Sequence, residues 1–422
     1  MKLEIDIQKR KDYDVIVVGS GPAGIGASIA AARGGAHTLL VESLSRVGGI
    51  STSGLMSHFV GRVDSEIYRE ILSRSANKNP YDRGTVTKYI DPELLTLTYM
   101  EMLEEAGVEL LLYTQFCDVT MEGKAVTGIV CHNKDGFCHF PAKVVIDASG
   151  DGDVAARAGV PFDKGREEDG RMQPATLMFK LGGVDTDRAV YLGSFERTYD
   201  TPHGELQALA REHLPHPAGH VLLYRSTLPG IVTVNMTNVT DVDGTSAEDL
   251  TRAERICRGQ IPAIVDFLRE YAPGYENCFV IGTASLIGVR ETRRFHGEKT
   301  LTAEEIAEAV QHDDAVVFDA YFNFDVHNIT GAGLDKTGVQ HKFTQKNGYT
   351  IPYGCLVPKE IDGLLLSGRN ISGTHMAHSN YRAMPICVGT GVAAGTAAAL
   401  AVQKKYSPRD LDVREIQERI DP

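Results

Sequence analysis

Residues 13–42 read YDVIVVGSGPAGIGASIAAARGGAHTLLVE. Tyr13 to Val18 is a β-branched apolar run, the composition of a strand buried on both faces of a parallel sheet. Gly19, Gly21 and Gly24 follow in G-x-G-x-x-G spacing. In that order they allow a tight turn, close approach of backbone to a pyrophosphate, and close packing of helix on strand. Pro22 suits the first helical turn, Ala23 to Ala32 propagates the helix, and Gly34-Gly35 can end it. His37 to Val41 reads as a second strand that delivers Glu42, a carboxylate able to accept hydrogen bonds from an adenosine ribose. No arginine directly follows Glu42, which favours a ribose with free hydroxyls over a 2′-phosphate. The alternative origin of such glycines, ordinary turns, does not account for strand, glycines, helix, strand and acid in sequence.

Working outward, Asp91-Pro92 is an N-cap and first-turn pair for a helix running to about Ala106, with Gly107 as its stop. Val108 to Thr114 reads as a strand, followed by two short strands turning near Gly123 and at Asn133-Lys134-Asp135-Gly136, before Lys143 to Ile146 re-enters the sheet. This β-meander stands where a crossover helix would be. From about 165 the character changes: Gly230 to Asn238 alternates like an antiparallel strand, and Glu248 to Tyr271 has helical periodicity. Thr302-x-x-Glu305 is a capping box. Leu364 to Ser367 reads as a last strand and Pro385 to Gln403 as a long helix rich in Gly and Ala. The expected fold class is therefore α/β: a discontinuous Rossmann-type dinucleotide domain with a β-meander, residues 1–160 and 351–422, and a second α+β domain over 161–350 that holds the substrate.

Composition narrows the classes. A chain of 422 residues exceeds the size at which one core stops growing, so two lobes are expected. The formal charge of −13, without a basic run, argues against nucleic acid as a partner. The charged N-terminal residues do not read as a signal peptide, and the apolar stretch Gly391 to Val402 is short for a bilayer, so a cytoplasmic protein without a membrane partner is expected. Homo-oligomerisation is left open. Seven scattered cysteines, none in a C-x-x-C pair, give no sign of a redox dithiol or a metal site.

More segments than one βαβ unit favour a flavin over a nicotinamide dinucleotide. Gly48-Gly49 is a second glycine doublet, with Arg46 in reach of a phosphate or ribose. Ser149 and Gly150 lie in VVIDASGDGD, which suits a loop crossing the dinucleotide, and Gly368 and Arg369 follow the last strand. Gly391 and Val392 lie in PICVGTGVAAGTAAAL, a helix whose N-terminus could stabilise charge on a reduced flavin ring. With RVGGISTSGLM, MQPATLMF, GVRETRRFHGEKTLT, FDVHNITGAG and THMAHSNYRAM, these segments resemble the FAD-dependent oxidoreductase family of the glutathione-reductase-like FAD superfamily. Its members have a single Rossmann unit and a substrate lobe, distantly akin to fumarate reductases and amine oxidases. The resemblance spans nearly the whole chain. It implies tightly bound FAD and redox chemistry, without implying a substrate. Asn370 stands where many relatives have Cys, which removes a thiol role there, and the absence of a second complete fingerprint removes a dedicated NAD(P)H domain.

Hydride transfer needs a substrate carbon against the ring and a group that moves a proton. His375 and His378, between the last strand and the last helix, are the nearest histidines by topology, with His327 and His296 as further candidates. Arg290, Arg293 and Arg382 could clamp a carboxylate, although Arg290 and Arg293 could equally belong to an ion-pair network with Glu291. Asp325 and His327 alternate on an extended segment and could pair, or could fix the join between lobes. Cys387 is read as a buried, inert thiol. His375, Arg290, His327 and Arg382 are thus the catalytic candidates, and no metal is expected. The leading expectation is an FAD-dependent oxidoreductase moving a hydride between a small polar metabolite and noncovalent FAD, with a further electron donor or acceptor. The rival is a flavoprotein whose FAD is structural or electrostatic, as in a hydratase or isomerase.

Overall fold

A computed structural model describes residues 4–78, 88–334 and 344–420. Its main sheet begins with the strand Tyr13–Val18, which is flanked in parallel register by Thr38–Val41 on one side and by the second half of Gly136–Asp147 on the other. Glu109–Leu111 extends the sheet beyond Thr38–Val41, and Leu364–Leu366 pairs with Val145 to Asp147. The first half of Gly136–Asp147 belongs instead to an antiparallel meander with Ala125–Asn133 and Gln115–Glu122. One unbroken strand therefore serves both the meander and the parallel sheet, where the sequence suggested a separate strand at Lys143 to Ile146. Gly123 and Gly136 have φ of +61° and +96°, so both meander turns use a conformation glycine adopts without strain.

Local signals predict several boundaries. The Asp91 side chain accepts from Glu93 and Leu94 N–H, the helix runs Pro92–Ala106, and Gly107 ends it at φ +79°. The Thr302/Glu305 capping box is present at Ala303–Ala307. The last long helix, Met384–Lys404, is apolar and long enough by composition to cross a bilayer, yet 83% of its most apolar stretch is buried in the protein. It packs on the first helix, Pro22–Arg33, through glycines: a Cβ on Gly391 would lie 2.0 Å from Ala23 O, and one on Gly395 2.2 Å from Ala27 O. Each helix covers a face that the other needs covered, and the pair forms the centre of the first core.

A second core is built from Ala175 to Ile287. It consists of the antiparallel sheet Leu223–Arg225, Val232–Val234, Phe179–Gly182 and Phe279–Thr283, with the helix Ala247–Tyr271 capped by Ser246. Residues from Phe295 to Ile351, expected with this lobe, pack in the first core: Val316, Val317, Ala320, Tyr349 and Ile351 are all buried there. The change of character near residue 165 marks a second block but carries no information about which core each of its segments joins. Phe162–Lys164 pairs with Arg293–Phe295, so the chain leaves for the second core and returns from it side by side.

Candidate active site

Between the cores lies a cavity of about 860 Å³, in the upper range for ligand pockets. One end is the glycine turn. Gly19, at φ +94°, has no room for a side chain, because a Cβ would lie 2.6 Å from Ala148 O; a Cβ on Gly24 would lie 1.8 Å from Gly19 O. Gly21 lines the cavity and has nothing within 4 Å of its missing Cβ, so a side chain there would occupy ligand space. No side chain caps the helix that starts at Pro22, which leaves first-turn N–H groups available to phosphate. Glu42 is 7% exposed and lines the same wall. Its Oε2 accepts from Ser20 N (2.9 Å) and Ser20 Oγ (2.6 Å), and its Oε1 from Leu44 N (2.9 Å) and Ser43 Oγ (3.1 Å). A ribose hydroxyl can replace either serine hydroxyl, since both rotate. Room at Gly21, an uncapped helix start and a buried carboxylate together fit a dinucleotide.

Two loops, Ala148 to Asp153 and Ser367 to Arg369, form the adjoining wall. Ser149, Gly150, Gly368 and Arg369 all line it, and so does Gly49, whose added Cβ would lie 3.0 Å from Gly21 Cα. Arg369 ties the loops together, donating to Gly150 O at 2.9 Å and pairing with Asp151. Burial raises the Asp151 carboxyl above its ordinary value, which the charge of Arg369 and the Thr292 hydroxyl only partly offset. Gly48 supports the turn through its N–H to Ser20 O (2.8 Å) without lining the cavity.

Three expected cofactor contacts lie elsewhere. Arg46 donates to both carboxylate oxygens of Glu93 (2.7 and 2.8 Å) and does not line the cavity. Gly391 and Val392 stand about 10 Å along the last helix from its first residue. There they face the first helix, while Ala383, Met384 and Cys387 present the helix start to the cavity.

The same cavity is lined by Arg290, Asp325, His327 and Arg382. His327 Nε2 lies 3.2 Å from Asp325 Oδ2, and Arg382 donates to the same oxygen at 2.8 Å and to Asp325 O at 3.0 Å. Burial pushes the Asp325 carboxyl up, but His327, Arg382 and Arg290 outweigh it and hold the group far below the usual range. An ionised Asp325 only accepts, so His327 Nε2 carries the hydrogen and Nδ1 a lone pair. Burial, then the charge of Arg290, lowers His327 to about 4, so the ring is neutral near pH 7. Burial and then Arg382 bring Arg290 down to about 10, where it remains a cation.

The remaining candidates are placed differently. His375 bonds through Nδ1 to Glu291 (2.7 Å), a buried carboxylate also held by Arg294 (2.6 Å), and lies outside the cavity wall. Being near the last helix in sequence did not determine which way it faces. His378 is fully buried, with neither ring nitrogen bonded among the described residues. Arg293 pairs with Asp153 (2.9 Å) and His296 with Asp163 (3.1 Å), both as structural links. Burial pushes the Cys387 thiol up to about 12, so it stays protonated. Sequence reading missed Phe195, Tyr224 and Asn235, which line the same cavity from loops and short strands that carry no motif.

Comparison with known proteins agrees with this geometry. The chain is 25% identical over 208 residues to a digeranylgeranylglycerophospholipid reductase of Methanococcoides burtonii, covering 44% of this chain and 49% of that one. It is 27% identical over 216 residues to a tRNA uridine 5-carboxymethylaminomethyl modification enzyme of Treponema pallidum, covering 48% and 30%. The chain thus spans half or less of the length of the curated relatives it matches. In fold it is similar to a geranylgeranyl bacteriochlorophyll reductase-like protein of Thermoplasma acidophilum, with TM-score 0.51, 15% identity, and coverage of 97% and 82%. It is also similar to the flavin-dependent brominase Bmp2, in a triple mutant, with TM-score 0.51, 14% identity, and coverage of 97% and 84%. The profile of the FAD dependent oxidoreductase family matches residues 14–420, and the chain belongs to that family, as an enzyme whose cofactor is FAD.

Proposed function

We propose that this enzyme transfers a hydride between its FAD and a small polar metabolite held among Arg290, Asp325, His327 and Arg382. The observation that carries the reading is that this cluster and the glycine turn at Gly21 line one cavity. Bound there, FAD supplies the site that accepts or gives the hydride. The glycine turn, Glu42 and the Arg369-braced loops hold the dinucleotide. His327 takes up or returns the substrate proton at Nδ1, while Asp325 fixes the ring through Nε2 and Arg382 fixes Asp325. Tyr224, whose hydroxyl burial raises to about 12, stays a neutral donor able to orient substrate oxygen.

The test is anaerobic mixing of FAD-loaded protein with hydroxy acids, amino acids and sugars, and of the dithionite-reduced protein with unsaturated acids. Bleaching or return of the visible flavin band, slowed at least about a hundred-fold in His327→Gln, is expected. No change in either direction across the panel would sink the reading.

A further inference from the structure

We propose that Arg290, backed by Arg382, is a subsite for a single carboxylate, so that the metabolite is an organic anion; this rests on the reading above of which cavity end receives substrate. The argument is one of charge. Among the other arginines that line the cavity, Arg369 is paired with Asp151 and Arg382 with Asp325. Arg290 is the exception in this wall: among the described residues it has no carboxylate partner, and its one hydrogen bond runs from Nη1 to the Pro174 carbonyl. Four further N–H donors of its guanidinium are left for a ligand. Asp325 is close enough for its charge to act on Arg290 but accepts no hydrogen bond from it; its carboxylate contacts, from His327 and Arg382, are both to Oδ2.

Two guanidinium charges therefore face one carboxylate and one neutral imidazole, and a single added negative charge balances the group. Glu254, which also lines the cavity, is held by Arg258 at 2.6 Å, and Glu196 lies at the exposed rim. A planar fork with open donors matches a carboxylate in two parallel hydrogen bonds, which an ammonium would not. Beside it, Phe195 and Tyr224 supply aromatic wall for the apolar body of the ligand. Phe195 is itself fixed edge-on between His220 and His327, with ring centroids at 5.0 and 5.2 Å.

The probes are benzoate and its uncharged counterpart benzamide, titrated at equilibrium into FAD-loaded protein and followed by calorimetry and by the flavin absorbance. Benzoate is expected to bind at least about ten-fold more tightly than benzamide, and Arg290→Gln to lose about ten-fold or more of the benzoate affinity. Asp325→Asn raises the net charge of the site and is expected to bind benzoate several-fold more tightly, an outcome misfolding cannot produce. Equal binding of the two probes, or unchanged benzoate affinity in Arg290→Gln, would overturn the subsite. If Arg290→Gln does not retain FAD, Asp325→Asn decides: tighter benzoate supports the subsite and unchanged affinity refutes it. No turnover is involved, so a protein that binds benzoate through Arg290 but whose flavin no metabolite reduces keeps the subsite and loses the redox reading.

Discussion

Asn370 donates from Nδ2 to the main-chain carbonyl of Asp147 at 3.0 Å, across 223 positions of sequence. Its Oδ1 accepts from Ser367 N at 3.1 Å. One fully buried amide therefore fastens the end of the strand Gly136–Asp147 to the loop after the last strand, beside the two loops that line the cavity. A thiol could make neither bond with this geometry, which is the structural meaning of an asparagine at this position. Asn370→Ala removes two buried hydrogen bonds and leaves the loop held to the strand by the Ser367 N–H to Asp147 O bond alone (3.0 Å). It is expected to cost about 1–3 kcal/mol in chemical denaturation and to speed FAD release. Wild-type values for both would show that the amide does not hold the loops.

Gly391 separates packing from cofactor binding. Gly391→Ala forces a Cβ to within 2.0 Å of Ala23 O, so the two central helices must part. The expected loss is about 1–3 kcal/mol and is the same in apoprotein and FAD-loaded protein. A loss seen only with FAD bound would return Gly391 to the cofactor contacts.

Glu42→Ala removes the acceptor of four hydrogen bonds and, with it, the carboxylate proposed to hold the ribose. FAD affinity is expected to fall about ten-fold or more, while the far-ultraviolet circular dichroism of the sheet is retained. Unchanged FAD affinity would refute the ribose role.

Acid should destabilise the protein through His327 and His220. Burial, first in both cases, lowers them to about 4 and about 3, so the native state keeps both neutral below the ordinary histidine value of 6.5. The unfolded chain binds these protons near that value, so it binds more than the native state between there and about pH 4, and stability falls as pH falls through that window. Each histidine contributes a slope of up to about 1.4 kcal/mol per pH unit. Melting temperatures measured from pH 7 down to 4 should decline less steeply in His327→Gln; parallel curves would mean that His327 is already charged in the native protein.

Much of the framework is legible in local chemistry. The strand, glycine turn and helix from Tyr13 to Arg33, the Asp91 cap and the Thr302 box each depend on neighbours within a few residues, so a single stretch of sequence contains both partners. Errors arise where the partner is distant. Arg46 is long enough to reach a phosphate but finds Glu93, 47 residues on. His375 finds Glu291, 84 residues back. A glycine inside a helix signals close approach without saying to what, and at Gly391 the answer is another helix. Of the four catalytic candidates, Arg290, His327 and Arg382 reach the cavity because the segments 286–290 and 322–327 and the residues that lead into the last helix border it.

The side-by-side strands Phe162–Lys164 and Arg293–Phe295 bear on the order of assembly during synthesis. Everything the second core needs, Ala175 to Ile287, is one continuous stretch, available to a growing chain as soon as it clears the ribosome. The first core draws on residues from both sides of that stretch. Its opening helix waits, with one face uncovered, for a partner more than 350 residues away, Met384–Lys404. The second core can therefore form before the first. The cavity wall is completed only when Gly368, Arg369, Met384 and Cys387 have been made, so a cofactor held there joins a fold whose second core can already exist.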